Sequence, residues 1–204
     1  MSQNNRTKIG VSPWAAVLLA MFIAAASPVV LAALLLAALC HELGHYLALR
    51  SFGARVEAVC ITAFGAEIRV ADRPALSYGR ELLAVAAGPA VNILLALLLS
   101  RGGQWQDKLY VFAGAQLILG AFNLLPVRPL DGGTMIWLAF SWGIDPFAAD
   151  RVLKWSSAIT VVALAAFSLW LWCETGSPFL LLGAVGLSKT LWQEKKLVKR
   201  GKRR

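Results

Sequence analysis

Apolar runs of bilayer-crossing length recur along this chain of 204 residues. A spanning helix needs about 20 mostly apolar residues to cover roughly 30 Å of hydrocarbon. The runs Pro13–Ser27, Pro28–Leu49, Leu82–Ser100, Leu109–Leu125, Trp155–Cys173 and Pro178–Trp192 predict six spans. A further piece, Thr134–Trp142, is too short to cross alone. Composition agrees: 58% of residues are apolar and 15% charged, against about 45–50% and about 25% in a soluble domain. An ordinary soluble globule, a disordered chain and a small disulfide scaffold are all excluded. The expected fold is an all-α polytopic membrane protein. Residues 1–192 form one transmembrane core and residues 193–204 a basic cytoplasmic tail.

The first run ends in Ala24-Ala25-Ala26-Ser27, which also fits a secretory cleavage site. Pro28 opens the second run at once, with no soluble sequence between them, so a retained two-span hairpin is the better reading. Charge then fixes sidedness. With the N-terminus inside, seventeen Lys and Arg fall in inner segments; only Arg101 and Lys108 lie outside. That asymmetry matches the positive-inside rule and places both termini in the cytoplasm. Arg128, at membrane depth, is expected to snorkel to the inner interface rather than pair with a carboxylate. The net charge of +9 raises nucleic acid as a partner, but eight of the 20 basic residues lie between Lys189 and Arg204. A basic block directly after an apolar segment faces anionic lipid instead. Cys40, Cys60 and Cys173 are odd in number and far apart, and read as small apolar residues.

Between spans two and three, Arg55–Val70 alternates Val56, Ala58, Cys60 and Thr62 with Glu57, Val59 and Ile61, and turns near Gly65. This predicts a small β-hairpin on the cytoplasmic side. It is either a connector folded over the helix ends or an open strand edge that pairs with an extended substrate segment.

The only two histidines, His41 and His45, lie in span two as His41-Glu42-Leu43-Gly44-His45. A helical spacing of four stacks both imidazoles on one face. There they can bind one Zn²⁺, with Glu42 near enough to act as a base without ligating. The competing reading is a satisfied structural cluster. Three ionisable groups within five residues of an apolar span weigh against it, because each charged group there costs roughly 2.5–3.5 kcal/mol on insertion scales.

Two histidines and a water leave a tetrahedral zinc one ligand short. Glu57, Glu67, Asp72, Glu81, Asp145 and Asp150 sit in charged inner loops and read as solvated. Asp131 differs, lying in Asn123-Leu124-Leu125-Pro126-Val127-Arg128-Pro129-Leu130-Asp131-Gly132-Gly133 at the inner end of span four. Pro126 and Pro129 stop the helix, and Gly132 and Gly133 permit tight turning. Broken backbone at membrane depth survives only against protein or a water-filled cavity, as in the wall of an active site. Otherwise Asp131 would cap a helix starting near Thr134, a role its position suits only loosely.

The pairing of HELGH with NLLPVRPLDGG resembles the site-2 protease family of intramembrane zinc metallopeptidases, most of all its stage IV sporulation protein FB type. The segment Ala87-Gly88-Pro89-Ala90-Val91-Asn92 is similar to a further motif of that family. The resemblance covers about residues 40 to 133 of the six-span core, and nothing here resembles the PDZ or CBS domains that many members carry. It implies His41, His45 and Asp131 as ligands of one zinc, Glu42 as catalytic base, and Asn92 and Asn123 lining or bracing the site. It also implies hydrolysis of a peptide bond in or beside a transmembrane segment. The substrate would be a membrane-tethered transcription-factor precursor or anti-sigma factor, reached from the cytoplasmic side. The alternative from another class is a zinc transporter or sensor. Transporters scatter ligands over repeated halves, and this chain shows no internal repeat.

Overall fold

The computed structural model describes residues 8–11, 27–62, 65–71, 76–103, 106–128 and 130–175. The chain divides into two compact units, Met1–Leu124 and Leu125–Arg204. Among the described residues three helices are long and apolar enough to cross a membrane: Pro28–Ser51, Tyr78–Gly102 and Pro146–Glu174. The runs expected as spans one and six, and the basic tail, lie outside the described residues.

In the first unit, helix α1 (Pro28–Ser51) starts where Ser27 caps it. The Ser27 Oγ accepts from Val30 N at 3.4 Å, and Pro28 occupies the first turn, where its missing N–H costs nothing. The helix ends as Phe52 N donates to Ala48 O and Gly53 N to Arg50 O. Gly53 has φ +81°, a left-handed conformation that glycine adopts without strain. This turn feeds strand β2 (Arg55–Thr62).

Strand β3 (Gly65–Ala71) pairs antiparallel with β2, from Arg55↔Ala71 to Thr62↔Gly65, with a register shift between Val56 and Ala58. Gly65, expected at the turn, is the first paired residue of β3. On its other side β2 pairs in parallel with β1 (Lys8–Val11), a segment whose sequence reads only as a polar lead-in. Such a pair requires a long crossover between its strands, a non-local event that four residues cannot announce. With neighbours on both sides from Ala58 to Ile61, β2 has no open edge there. The expectation was of two strands; β1 adds a third, beside β2.

Helices α2 (Tyr78–Gly102) and α3 (Lys108–Asn123) complete the described part of this unit. Their packing inverts the soluble rule. On α1 the buried positions are Ala33, Ala37, His41 and Gly44, while Leu35, Leu36, Leu39, Leu43 and Leu47 are exposed. On α2 the buried set is Ala84, Gly88, Pro89, Asn92 and Ala96, and Leu83, Leu94, Leu97 and Leu98 face outward. Lipid solvates leucine as well as a protein core does, so small residues that allow close backbone approach take the interface. A Cβ added at Gly44 would lie 2.8 Å from Ala87 O and 3.1 Å from the Gly88 Cα. α1 and α2 therefore touch backbone to backbone beside the histidines.

The second unit contains α4 (Asp131–Gly143) and α5 (Pro146–Thr175). α5 begins well before the expected Trp155, because Asp145 caps it: its Oδ1 accepts from Phe147 N at 2.7 Å and Ala148 N at 2.9 Å. α4 begins at Asp131 rather than near Thr134, with Leu130 at the N-cap. The glycines expected to turn the chain are instead helical. A Cβ at Gly133 would lie 2.6 Å from Val127 C and O, so that glycine admits the preceding loop against the first turn of α4.

The loop is held from α5. Ser156 Oγ donates to Pro126 O at 3.0 Å, and Arg128 N donates to Ser157 Oγ at 3.4 Å. Backbone groups freed by the break thus find partners inside the protein, as a bilayer environment demands. Arg128 does not snorkel freely. Its guanidinium pairs with Asp150 Oδ1 at 3.2 Å, and Trp137 Nε1 donates to the same oxygen at 2.9 Å. Asp150, expected to be merely solvated, ties the loop and α4 to α5.

Candidate functional site

His41 and His45 lie one turn apart on the buried stripe of α1, with ring centroids 4.7 Å apart and planes at 86°. Their Nε2 atoms are 3.1 Å apart. Each ring is held through its other nitrogen. His45 Nδ1 lies 2.9 Å from the carbonyl of Ala84 on α2; a carbonyl only accepts, so Nδ1 carries the proton. His41 Nδ1 lies 2.6 Å from Asn92 Oδ1.

The Asn92 amide orientation follows from its far side, where Nδ2 donates to Ala37 O at 3.1 Å and to Gln116 Oε1 at 2.5 Å. Oδ1 therefore faces the imidazole, and His41 Nδ1 is also the protonated nitrogen. In the neutral rings both Nε2 atoms are then acceptors, aimed at each other. Two such acceptors facing each other at 3.1 Å form a site suited to a shared cation.

The spacing selects among cations. Two nitrogens at about 2.0–2.1 Å from a tetrahedral Zn²⁺ stand roughly 3.3 Å apart. The pair is thus close to the span that one metal requires, and both second nitrogens already have the partners that fix a ligating tautomer. Residues and metal fit.

Glu42 follows His41 on α1, about 100° round the helix, and is partly buried. Asn92 is 0% exposed and joins His41 as described. Asn123, at the last turn of α3, donates from Nδ2 to Leu119 O in its own helix at 3.1 Å. Asp131 is the first residue of α4 in the second unit, partly buried.

The roles of two further residues escape a sequence reading, although one of them lies in the quoted motif Ala87–Asn92. Gln116, 1% exposed, ends the chain from His41 through Asn92 to α3. An amide in the middle of the apolar run Leu109–Leu125 is its available signal, since such groups bond between membrane helices. Gly88 is the other, and its reason lies wholly in three dimensions. A Cβ there would press on His45 Nε2 and lie 2.6 Å from Cε1 and 2.9 Å from Cδ2. The absent side chain leaves the space that the ring occupies.

Residues 29–104 and 99–167 match Peptidase family M50. The chain is 31% identical over 140 residues to the stage IV sporulation protein FB of Bacillus subtilis, covering 66% of this chain and 48% of that protein. It is 31% identical over 103 residues to a zinc metalloprotease of Methanocaldococcus jannaschii, covering 47% of this chain and 30% of that one. The chain thus spans less than half the length of these two curated relatives. In fold it is similar to the solved site-2 protease from Methanocaldococcus jannaschii, with a TM-score of 0.65 over 91% of this chain and 88% of that one, at 22% identity. With the family match extending over most of its length, from the histidine helix to α5, the chain belongs to peptidase family M50.

Proposed function

We propose that this chain is an intramembrane zinc metalloprotease that hydrolyses a peptide bond in or next to a transmembrane segment of a membrane-bound substrate. The observation that carries the reading is the pair of acceptor Nε2 atoms of His41 and His45, 3.1 Å apart on a helix of spanning length. The printed names of relatives specify zinc and proteolysis. His41 and His45 would hold one Zn²⁺, with Asp131 as the third protein ligand. Bound zinc supplies Lewis acidity, making a water nucleophilic near neutral pH and polarising the scissile carbonyl.

Glu42 takes the proton of the attacking water and returns it to the leaving amine. Asn92 and the Ala84 carbonyl keep both imidazoles in the ligating tautomer. Asn123 lines the site. The protein is a multi-pass membrane protein with both termini cytoplasmic, and water and substrate enter from that side. The partners are the bilayer and a membrane-tethered substrate, in regulated proteolysis of a transcription-factor precursor or anti-sigma factor. Nucleic acid is not among them.

Metal removal tests the reading. The purified protein is incubated in detergent with panels of membrane-tethered candidate precursors, and products are resolved by mass spectrometry. A cleavage within or beside a substrate's transmembrane segment is expected, abolished by a zinc chelator and restored by added zinc. Cleavage indifferent to chelation would contradict the zinc assignment.

A further inference from the structure

The polar chain behind His41 runs one residue beyond Asn92. Asn92 on α2 has two donors on one amide nitrogen, and both are used: Ala37 O at 3.1 Å and Gln116 Oε1 at 2.5 Å. The Ala37 carbonyl belongs to the same helix as His41, so it cannot hold Asn92 relative to α3. Gln116, on α3, can. Both amides are fully enclosed, Asn92 at 0% and Gln116 at 1% exposure. At Gly120, one turn further along α3, a Cβ would lie 3.0 Å from the Asn92 Cβ. α3 thus grips Asn92 from two positions, by contact at Gly120 and by a hydrogen bond at Gln116.

We infer that Gln116 is a positioning residue for the metal site: by accepting from Asn92 Nδ2 it locks the amide so that Oδ1 faces His41 Nδ1 and Nε2 is presented to the metal. Without that acceptor, a buried donor of Asn92 loses one of its two bonds, and Nδ2 keeps only the 3.1 Å bond to Ala37 O to oppose an amide rotation coupled to a change of the His41 tautomer. A rotated amide would turn its NH₂ toward His41 Nδ1, favouring the opposite tautomer and placing the ring proton on Nε2, where a metal cannot bind. Loss of an outer partner of this kind weakens metal affinity about 10–100-fold. His45 is an internal control, because its Nδ1 partner is the backbone carbonyl of Ala84, which Gln116 does not touch. The inference rests on the metal-site reading above.

The test uses Gln116→Leu, which removes the acceptor, and Gln116→Glu, which in its neutral form restores a carbonyl oxygen at the same place. With only two histidines in the chain, ¹⁵N-histidine spectra of the full-length protein in detergent resolve both imidazoles. Zinc affinity is read in parallel by chelator competition. In Gln116→Leu the His41 Nδ1 signal is expected to move toward the unprotonated range while His45 stays put. Zinc affinity falls about 10–100-fold, and Gln116→Glu recovers to within about threefold of wild type. If Gln116→Leu gives no folded protein, Gln116→Met supplies the same contrast with a longer apolar chain.

A folded apolar variant with an unchanged His41 signal and unchanged affinity would overturn the inference and leave Gln116 a helix-packing residue. Wild-type protein that binds no zinc would instead overturn the metal-site reading itself, so the two failures are distinguishable.

Discussion

Replacing Glu42 by glutamine is expected to leave zinc bound while lowering peptide cleavage about 10²–10⁴-fold, the usual contribution of a positioned acid–base group. The substitution preserves shape and helix propensity and removes only the ability to take up a proton. Glu42 belongs to a five-residue segment whose two histidines are tied to α2 through Ala84 and Asn92. Those ties do not involve Glu42, so the metal site should survive the change. The measurement pairs zinc content with the cleavage rate of a membrane-tethered substrate. Loss of metal together with activity would show that Glu42 holds the site together; full activity with metal retained would remove it from the chemistry.

The second large effect is expected at a residue with no side chain. Gly88→Ala should lower zinc affinity by more than about 100-fold, beyond the range seen when an outer hydrogen-bond partner is lost. The added methyl would press on His45 Nε2, the atom offered to the metal. The ring cannot swing away cheaply, because its Nδ1 is bonded to Ala84 O on the same helix that carries Gly88. Helix α2 can retreat only by giving up the close backbone packing at Gly44.

Gly114→Ala is the matched control: a Cβ there meets nothing within 4 Å, and a helical glycine replaced by alanine gains up to about 1 kcal/mol. Chelator competition on the two variants should give a severe loss for Gly88→Ala and wild-type affinity for Gly114→Ala. Equal affinities would mean that the α1–α2 contact is looser than described.

These two residues also show what a linear chain discloses. The HELGH spacing carries its own geometry, because helix periodicity alone puts both rings on one face. The start of α1 at Pro28 is written in local chemistry: Ser27 is a cap and Pro28 a first-turn residue. The same kind of signal stood at Asp145-Pro146, yet α5 reads as beginning at Trp155, because Asp150, Arg151 and Lys154 interrupt the apolar run. There the cap outweighs hydropathy, and Asp150 is occupied by Arg128 and Trp137 rather than by water.

Gly132 and Gly133 mislead in the opposite way. Glycine pairs signal turns, but Gly133 is helical and glycine because the Val127 backbone lies against it. The role of Gln116 and the pairing of β1 depend on which helix or strand arrives beside which. Such contacts leave only a faint trace in local sequence, an amide within an apolar run in one case and none in the other.

Zinc K-edge X-ray absorption on purified, chelator-free protein tests the central claim most directly. One zinc per chain is expected, with two imidazole nitrogens at about 2.0–2.1 Å, the remaining ligands oxygen, and no sulfur. Protein purified without bound transition metal would contradict it. So would a sulfur shell near 2.3 Å, which would hand the metal to Cys40, the residue immediately before His41.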